Sequence, residues 1–359
     1  MTVSAPTPTL NGPFYGLCYL SLAWLAYAPE VSGIIDAVED MPVPDGVSGT
    51  WSCPWGPVSD AANPNNLSGA NLCYVAVLSD ANKAPLFAVV VLRGTDLALS
   101  VNMNAQQVMQ DLDVAVEVDW SFPSNRSATG AKIALGTSTA LQRITAQAYD
   151  SQTLGDFIST FVQTTGAPVV VTGHSLGGCL TQVMTVYLAG VLSQNANITS
   201  YAVLGNPFAP TTAGNPAFVA LYNDAACAPG DTPAYPLGVN MWVNTNDVVP
   251  YAWADLGGIK NLWGAAVPTP NDCVDAFIAL TAATSYQQPG YNVIPAFTTP
   301  VATMIYDKAS NTDQPATWQT ELVYQHYPDT GYWPYLSANA AALGIGMIAP
   351  PTPLPSAQA

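Results

Sequence analysis

Residues 169–178 read Val169-Val170-Val171-Thr172-Gly173-His174-Ser175-Leu176-Gly177-Gly178. A short apolar run leads into a G-x-S-x-G pentapeptide, and apolar residues at helical spacing follow it from position 180 to position 191. A chain of this length would contain such a pentapeptide by chance roughly one time in eight, so the flanking patterns are the stronger evidence. Together they predict a buried strand, a tight turn at Ser175 and an amphipathic helix.

This arrangement suits a serine nucleophile. A tight turn at the carboxyl end of a strand projects the Ser175 hydroxyl out of the sheet, and Gly173 and Gly177 allow the backbone to approach its neighbours closely. The backbone N–H of Leu176 and the positive end of the helix would face a developing oxyanion. We predict Ser175 as the nucleophile and Leu176 as one oxyanion donor; the alternative is an ordinary strand-to-helix turn.

A serine hydroxyl is a weak nucleophile without an adjacent base. The chain contains two histidines, His174 and His326. His174 adjoins the serine, so its side chain leaves the turn in a different direction. We therefore predict His326 as the general base, in a loop that Pro328 favours; the alternative is a histidine in a loop or interface without a catalytic role.

The base needs a carboxylate that fixes its tautomer, and the chain order serine, acid, histidine places this acid between Ser175 and His326. Asp247 fits best, because it follows the strand candidate at residues 239–243 and should reach the same edge of the sheet. The alternative for Asp247 is a capping or turn aspartate. The other carboxylates in this interval are Asp224, Asp231, Asp255, Asp272, Asp275, Asp307, Asp313 and Glu321.

A second oxyanion donor should follow an earlier central strand. Arg93-Gly94-Thr95-Asp96 comes directly after the apolar run at residues 86–92. Thr95 can offer its backbone N–H and its hydroxyl there. We predict Thr95 as the second donor, and the alternative is a turn without a chemical role.

Patterns on either side of this region predict the architecture. Strand candidates that are apolar on both faces alternate with helical patterns, which is typical of a sheet covered by helices on both sides. We therefore predict an α/β fold with a mostly parallel central sheet. The strand candidates are residues 73–78, 86–92, 169–171, 201–204 and 239–243, and the helical patterns are residues 14–28, 154–162 and 180–191.

The remaining segments predict one domain. Residues 41–70 are rich in Pro, Gly, Asn and Ser, which predicts a loop. Residues 255–320 break the alternation around a helical run at 274–283, and we expect an insertion packed on the same domain. A single domain is therefore predicted over residues 1–349, followed by a disordered Pro-rich tail at 350–359.

The composition excludes some partners. Hydrophobic residues make up 49% of the chain, charged residues 9%, and the formal net charge is −17. This charge should repel nucleic acid and anionic lipid headgroups, and it also keeps an apolar-rich protein soluble. No stretch reaches the roughly 20 apolar residues of a membrane span. The apolar residues 17–28 lack a preceding basic segment, so we predict a buried helix there and not a signal peptide.

The six cysteines form no C-x-x-C pair. Cys18 and Cys179 lie on apolar helical faces and are predicted to be buried thiols. The others lie in or beside loop-rich segments, and we expect disulfides between Cys53 and Cys73 and between Cys227 and Cys273. Disulfides form in oxidising compartments, so secretion is favoured over the cytoplasm.

Neither a metal nor a cofactor is predicted. Asp111, Asp113, Glu117 and Asp119 could ligate calcium, but their odd-numbered spacing is more simply one solvated face of a strand. Two histidines and no cysteine cluster argue against a catalytic zinc.

At this point the chain resembles the class 3 lipases, the α/β-hydrolase family that includes the fungal triacylglycerol lipases. The resemblance runs from the strand before Arg93 to His326. The matching motifs are Arg93-Gly94-Thr95, Asp111-Leu112, residues 171–178, Gly205-Asn206-Pro207, residues 214–218, Val243-Asn244 and residues 247–250.

The resemblance implies an α/β-hydrolase fold, the triad Ser175, Asp247 and His326, an oxyanion donor at Thr95 and an ester or lipid substrate met at an oil–water interface. It also implies a lid near residues 97–110 whose apolar side chains would cover an acyl groove. Residues 131–139 lack the family's His-x-Gly-Phe run, and the stretch from Asp247 to His326 is long for the family. Both departures concern the acyl pocket and lid and leave the triad unaffected.

Three functions fit these residues. The first is a serine hydrolase that cleaves carboxylic esters through an acyl-enzyme, with acylglycerols as substrates. The second is another acyl-transfer enzyme with the same triad, such as an acyltransferase, a polyester depolymerase or a peptidase. The third is a non-catalytic binding protein on this fold, against which the complete triad argues. The sequence does not indicate an oligomeric state.

Overall fold

A five-stranded sheet forms the centre of the protein in a computed structural model, which describes residues 13–28, 31–43, 47–59, 71–93, 113–225, 241–289, 296–302, 304–307 and 312–342. The strands are β1 (Gly49–Ser59), β2 (Leu72–Asp80), β3 (Pro85–Leu92), β4 (Glu117–Asp119), β5 (Lys132–Ala134), β6 (Ala148–Tyr149), β7 (Gln152–Thr153), β8 (Val169–His174), β9 (Val203–Phe208), β10 (Val243–Asn244), β11 (Ala296–Phe297), β12 (Met304–Asp307) and β13 (Thr312–Pro315). The α-helices are α1 (Pro13–Leu25), α2 (Val31–Glu39), α3 (Leu135–Thr145), α4 (Leu154–Thr165), α5 (Leu176–Gln194), α6 (Pro216–Asn223), α7 (Leu256–Ile259), α8 (Asn271–Leu280), α9 (Trp318–His326) and α10 (Trp333–Ala342).

The strand order in the central sheet is β1-β2-β3-β8-β9. Strands β1, β2 and β3 form an antiparallel meander, whereas β3, β8 and β9 run parallel. Beyond β9, Trp242 makes one parallel bridge to Phe208 and brings the chain before β10 to the same edge. The sheet is therefore mixed, with two antiparallel and two parallel strand pairings where a mostly parallel sheet was predicted. The predicted α/β-hydrolase fold is confirmed.

Alternate residues of the central strands pack on opposite faces of the sheet. Val75 and Val90 join the core beneath α3, α4, α5 and α6, whereas Tyr74 and Val89 join the core beneath α1, α2 and α10. All six residues of β8 are buried. Strands apolar on both faces are stable only between two layers of helices, which is the predicted arrangement.

Two apolar helices lie in these layers. The side chains of Leu17, Leu20 and Leu22 are fully buried, which confirms the prediction of a buried N-terminal helix. The helix α1 ends at Leu25, and a second helix, α2, begins at Val31. Within the described ranges, α5 alone is long and apolar enough to cross a membrane, but 78% of that window is buried inside the protein. Such burial is typical of a core helix.

The prediction of a loop over residues 41–70 is wrong for its central part. Residues of β1 pair with β2 over Gly49–Ser59, with irregularities between Ser52 and Trp55 and between Trp55 and Val58. Prolines and glycines are tolerated in an edge strand with bulges, because one side of its backbone needs no partner strand. The composition that predicts a loop is therefore also compatible with this edge.

The predicted disulfides are also wrong. Cys53, Cys73 and Cys273 are free thiols, and Cys227 lies outside the described residues. Cys73 packs in the core on one face of the sheet, whereas Cys53 packs against the core on the other, so their side chains point apart. The reason for favouring secretion therefore disappears. Cys18 and Cys179 are buried thiols, as predicted.

Residues 255–320 contribute Leu256, Trp263 and Val274 to a small apolar core that also includes Val248 and Ala252. Hydrogen bonds from Gln288 Nε2 to the Pro210 and Pro250 carbonyls join this segment to the stretches that follow β9 and β10. The predicted helix at 274–283 corresponds to α8. The single domain over residues 1–349 stays a prediction, and the predicted lid at 97–110 and tail at 350–359 lie outside the described residues.

A glycine in α5 allows the first prediction. An ideal Cβ on Gly190 would lie 2.3 Å from the Ser124 backbone nitrogen, whereas one on Gly33 of α2 would meet no heavy atom within 4 Å. We expect Gly190→Ala to lower the free energy of unfolding by about 2–3 kcal/mol, because the loop must move away. Gly33→Ala should raise it by about 0.5–1 kcal/mol. Urea unfolding measures both, and equal stabilities would contradict the packing.

Candidate active site

Ser175 occupies the tight turn between β8 and α5. Its backbone has φ 60° and ψ −125°, a strained conformation for a residue with a side chain. Hydrogen bonds hold it: the Ser175 N–H donates to the Phe208 carbonyl at 3.0 Å, and the Cys179 N–H donates to the Ser175 carbonyl at 3.1 Å. The structure therefore places the predicted nucleophile at the carboxyl end of a central strand, where the turn holds it in one conformation.

Two glycines make this turn possible. A Cβ on Gly173 would lie 2.4 Å from the Gly177 carbonyl oxygen and 2.6 Å from that of Leu92. A Cβ on Gly178 would lie 2.6 Å from the Phe208 carbonyl oxygen. Each contact is with backbone and cannot be relieved by moving a flexible side chain, so only glycine fits at these positions.

His326 and Asp247 meet beside this turn. The His326 Nδ1–H donates to Asp247 Oδ2 at 2.8 Å, and both side chains are at most 1% exposed. A hydrogen bond at Nδ1 leaves Nε2 as the ring atom that can accept a proton. Among the described residues, that Nε2 is buried and has no hydrogen-bond partner. The pair therefore has the arrangement of a general base and its orienting acid.

His174 connects this pair to Ser175. The imidazole rings of His174 and His326 have centroids 4.6 Å apart, and Ser175 is the next residue after His174. Because His326 Nε2 has no partner in the described part of the chain, the hydrogen bond from the Ser175 hydroxyl that completes a triad is not formed here. The structure thus brings the predicted acid and base together and places the predicted nucleophile next to the residue that touches the base.

Asp247 is held by further donors. Its Oδ1 accepts the Val249 N–H at 2.9 Å, and its Oδ2 accepts the Tyr332 hydroxyl at 2.7 Å. Burial and the neighbouring Asp247 raise the pKa of Tyr332 well above its ordinary value, so the tyrosine stays a donor. Tyr332 is not predictable from the sequence, because only the fold brings it to Asp247 and no spacing along the chain signals this contact.

The His174 side chain holds the backbone of His326. Its Nε2–H donates to the His326 carbonyl at 2.8 Å. Burial, followed by the neighbouring His326, lowers the pKa of His174 well below the usual value of histidine, so the ring is neutral. His174 therefore holds the backbone position of His326 and does not compete for the proton of Ser175.

The prediction that His326 lies in a loop is wrong, because it is the last residue of α9. That helix begins after Thr317, whose side chain accepts the Thr320 N–H as an N-cap. It ends at His326 because Pro328 favours an extended conformation at Tyr327, which has φ −64° and ψ 145°. The proline thus marks a helix end, and a helix positions an imidazole more firmly than a loop would.

A buried polar network joins α9 to the segment that carries Asp247. The Asn244 Nδ2 donates to Gln325 Oε1 at 2.7 Å and to the Gln325 carbonyl at 3.0 Å, and the Thr299 hydroxyl also contacts Gln325 Oε1. The Gln325 Nε2 donates to Glu321 Oε1 at 2.7 Å. Burial raises the pKa of Glu321. Because Gln325 precedes His326 and Asn244 lies three residues before Asp247, the network fixes base and acid relative to each other.

Leu176 is the first residue of α5, as the predicted oxyanion donor should be. Its side chain is half-buried, and Arg93 at the end of β3 is buried. Thr95, the other predicted donor, lies outside the described residues. The described residues contain no group of three or more His, Cys, Asp or Glu side chains that could hold a metal ion. Of the four carboxylates considered for calcium, Asp111 is not described, and Glu117 accepts hydrogen bonds from Ser285.

Part of the chain matches the sequence model of a known protein family. The sequence model of the family described as Lipase (class 3) matches residues 89–256, a range that contains Ser175 and Asp247 but not His326. This match confirms the resemblance stated above. No curated protein sequence is significantly similar to this chain.

Solved structures are similar in fold. M37 lipase has 22% sequence identity and a TM-score of 0.66, over 92% of this chain and 97% of that chain. Lip2 lipase from Yarrowia lipolytica has 17% identity and a TM-score of 0.45, over 66% of this chain and 74% of that one. Lipase II from Rhizopus niveus has 15% identity and a TM-score of 0.42, over 67% and 74%. The likeness to M37 lipase shows that the two chains share their fold.

The contact between Tyr332 and Asp247 leads to a prediction. We expect Tyr332→Phe to lower the free energy of unfolding by about 1–3 kcal/mol, because it removes a hydrogen bond to a buried carboxylate. Turnover of a soluble ester should fall about tenfold. Tyr222→Phe is a matched control, because the Tyr222 hydroxyl is buried with no hydrogen-bond partner in the described part of the chain. Equal behaviour of both variants would argue against a role for Tyr332.

The lowered pKa of His174 predicts a pH dependence of stability. In the unfolded chain His174 should titrate near pH 6.5, whereas the folded protein accepts this proton only at lower pH. As pH falls below about 6.5, the unfolded state therefore gains stability, at up to about 1.4 kcal/mol per pH unit. Urea unfolding at pH 7.5 and 5.5 should show a smaller loss for His174→Gln than for the wild type. Parallel losses in both proteins would contradict a buried neutral ring.

Proposed function

We propose that this chain hydrolyses acylglycerols with Ser175 as nucleophile, His326 as general base and Asp247 as orienting acid, because its residues 89–256 match the model of the family described as Lipase (class 3). The family makes it a carboxylic-ester hydrolase. The observation that carries the proposal is the buried hydrogen bond between His326 and Asp247. The buried Nε2 of His326 has no hydrogen-bond partner among the described residues, and the His326 ring lies 4.6 Å from that of His174, the residue before Ser175.

In the first half of the reaction, Ser175 Oγ attacks the carbonyl carbon of the ester while His326 Nε2 takes the hydroxyl proton. Asp247 stabilises the imidazolium that forms, because its Oδ2 already accepts the Nδ1–H. The tetrahedral intermediate then expels the alcohol, which takes the proton back from Nε2. An acyl-enzyme on Ser175 remains.

In the second half, a water molecule attacks the acyl carbonyl and gives its proton to His326 Nε2. The intermediate collapses, the proton returns to Ser175 Oγ, and the carboxylic acid leaves. At neutral pH this product is an anion, and a protein with a net charge of −17 favours its departure.

The negative charge that develops on the carbonyl oxygen of the ester needs two hydrogen-bond donors. The Leu176 N–H lies at the amino-terminal end of α5, a helix of 19 residues whose positive end faces the turn. We assign the second donor to Thr95, through its backbone N–H and its hydroxyl. The strained backbone of Ser175 fixes where this oxygen forms, because the nucleophile and the first donor are adjacent residues.

Other acyl acceptors would use the same triad. An acyltransferase, a polyester depolymerase or a peptidase differs in what occupies the place of water or of the ester alcohol. No contact among the described residues favours an alcohol or amine acceptor, so hydrolysis is what we propose.

Replacing the nucleophile tests the mechanism. We expect Ser175→Ala to lower turnover of a p-nitrophenyl ester by about four to six orders of magnitude, because no other group can form the acyl-enzyme. Ser193→Ala is the control: this serine is on the same helix, and its hydroxyl donates only to the Gly190 carbonyl among the described contacts. A fluorophosphonate should label the wild type at Ser175. Near-wild-type turnover by Ser175→Ala would reject the mechanism.

A further inference from the structure

We propose that Thr299 is a positioning residue for the triad, and that residues 296–302, which we call the linking segment, hold the acid and the base at a fixed separation. This inference rests on the proposed function, because it concerns how the same triad is kept in place. It gives a role to the insertion at residues 255–320, which contains the linking segment but supplies no member of the triad.

The first half of the linking segment binds the stretch that precedes Asp247. Its first two residues form β11, which pairs in parallel with β10. The Thr245 N–H donates to the Phe297 carbonyl at 2.7 Å, and the Asn246 Nδ2 donates to the Thr299 carbonyl at 2.6 Å. The two residues immediately before the acid are therefore held by the insertion.

The second half of the linking segment binds α9, the helix that ends at His326. The Gln325 Nε2 donates to the Pro300 carbonyl at 2.9 Å. The Ala302 N–H donates to the Glu321 carboxylate, at 3.1 Å from Oε1 and 3.2 Å from Oε2. One short piece of chain thus bonds both to the stretch before the acid and to the helix that carries the base.

The Thr299 hydroxyl lies where these two sides meet. It accepts a hydrogen bond from Asn244 Nδ2 at 2.8 Å, and it contacts Gln325 Oε1. Thr299 is 8% exposed, and both amide residues are fully buried. Buried polar groups are costly without a partner, so each of these three side chains depends on the other two.

Other contacts fix the direction of each hydrogen bond. Asn244 Oδ1 accepts the N–H groups of Thr299 and Asn246, at 3.2 Å and 3.1 Å, so its Nδ2 must be the donor that faces the hydroxyl. Gln325 Nε2 donates to Glu321 at 2.7 Å, so its Oε1 must be an acceptor. The Thr299 hydroxyl therefore donates to Gln325 and accepts from Asn244, and a methyl group can do neither.

Two neighbours transmit these contacts to the triad. The Asp247 N–H donates to the Asn244 carbonyl at 2.9 Å, and His326 follows Gln325 in the chain. A shift of Asn244 relative to Gln325 therefore changes the separation of Asp247 Oδ2 and His326 Nδ1. Misplacing a reacting group by about 1 Å costs roughly 10²-fold in rate.

Three substitutions test this role on a soluble p-nitrophenyl ester. Thr299→Val removes the hydroxyl and keeps the shape, so kcat should fall about tenfold while KM stays within about twofold. Thr299→Ser keeps the hydroxyl and should restore most of kcat. Thr298→Val is the matched control, because Thr298 is exposed and its hydroxyl contacts that of Thr245 at the surface. It should behave like the wild type.

The hydrogen bond between His326 and Asp247 gives a readout that does not depend on turnover. Proton NMR of protein with isotope-labelled histidine should show the His326 Nδ1–H at low field, because this proton is bonded to a carboxylate. With two histidines in the chain, the signal can be assigned. It should move to higher field in Thr299→Val and keep its position in Thr299→Ser and Thr298→Val.

Thermal unfolding checks that each variant is folded. If Thr299→Val does not fold, Thr299→Cys takes its place, because it differs from Thr299→Ser by one atom and its thiol is a weak donor. An unchanged kcat and NMR signal in the folded variant would overturn the proposal. A rise in KM alone, a failure of serine to restore kcat, or an equal loss in Thr298→Val would do the same. Failure of the proposed function is a separate result, seen as ester turnover by Ser175→Ala, and the NMR comparison still tests Thr299.

Discussion

The hydrogen bond between His326 and Asp247 is the constraint on which the rest of the site depends. It joins two segments that lie 79 residues apart in the chain, and both side chains are buried. A buried carboxylate is stable only when its oxygens have partners. Tyr332, Val249 and His326 supply them, so the interactions that stabilise the charge also fix its orientation. The hydrogen bonds that stabilise the buried Asp247 carboxylate are therefore also the ones that the proposed catalytic geometry requires.

The sheet supplies the other half of the geometry. Strands β3, β8 and β9 run parallel, so their carboxyl ends meet at one edge, and the turn at Ser175 follows the middle strand of the three. Its strained backbone is held by Phe208 from β9 and requires glycine at position 173, where any side chain would strike Leu92 of β3. The strain at Ser175 is thus balanced by contacts from both neighbouring strands.

Local sequence patterns predicted the parts of the structure that depend on neighbouring residues. The strand, turn and helix around Ser175 follow from apolar periodicity and two glycines, and the choice of His326 follows because His174 is the only other histidine. The sequence did not indicate what depends on contacts between distant segments. The edge strand β1 contains prolines and glycines that resemble a loop, the Cys53 and Cys73 side chains lie on opposite faces of the sheet, and Tyr332 reaches Asp247 only in the folded protein. His326 lies in a helix because Pro328 acts on Tyr327 and leaves the preceding residues free to form α9.

The negative charge of the chain opposes self-association through the apolar side chains exposed on α8. A protein that exposes Ile278, Leu280 and several alanines together tends to associate through them. Repulsion between like-charged molecules opposes that association, and a net charge of −17 provides it at long range. No charged residue occurs at positions 276–306, so this repulsion comes from the rest of the chain.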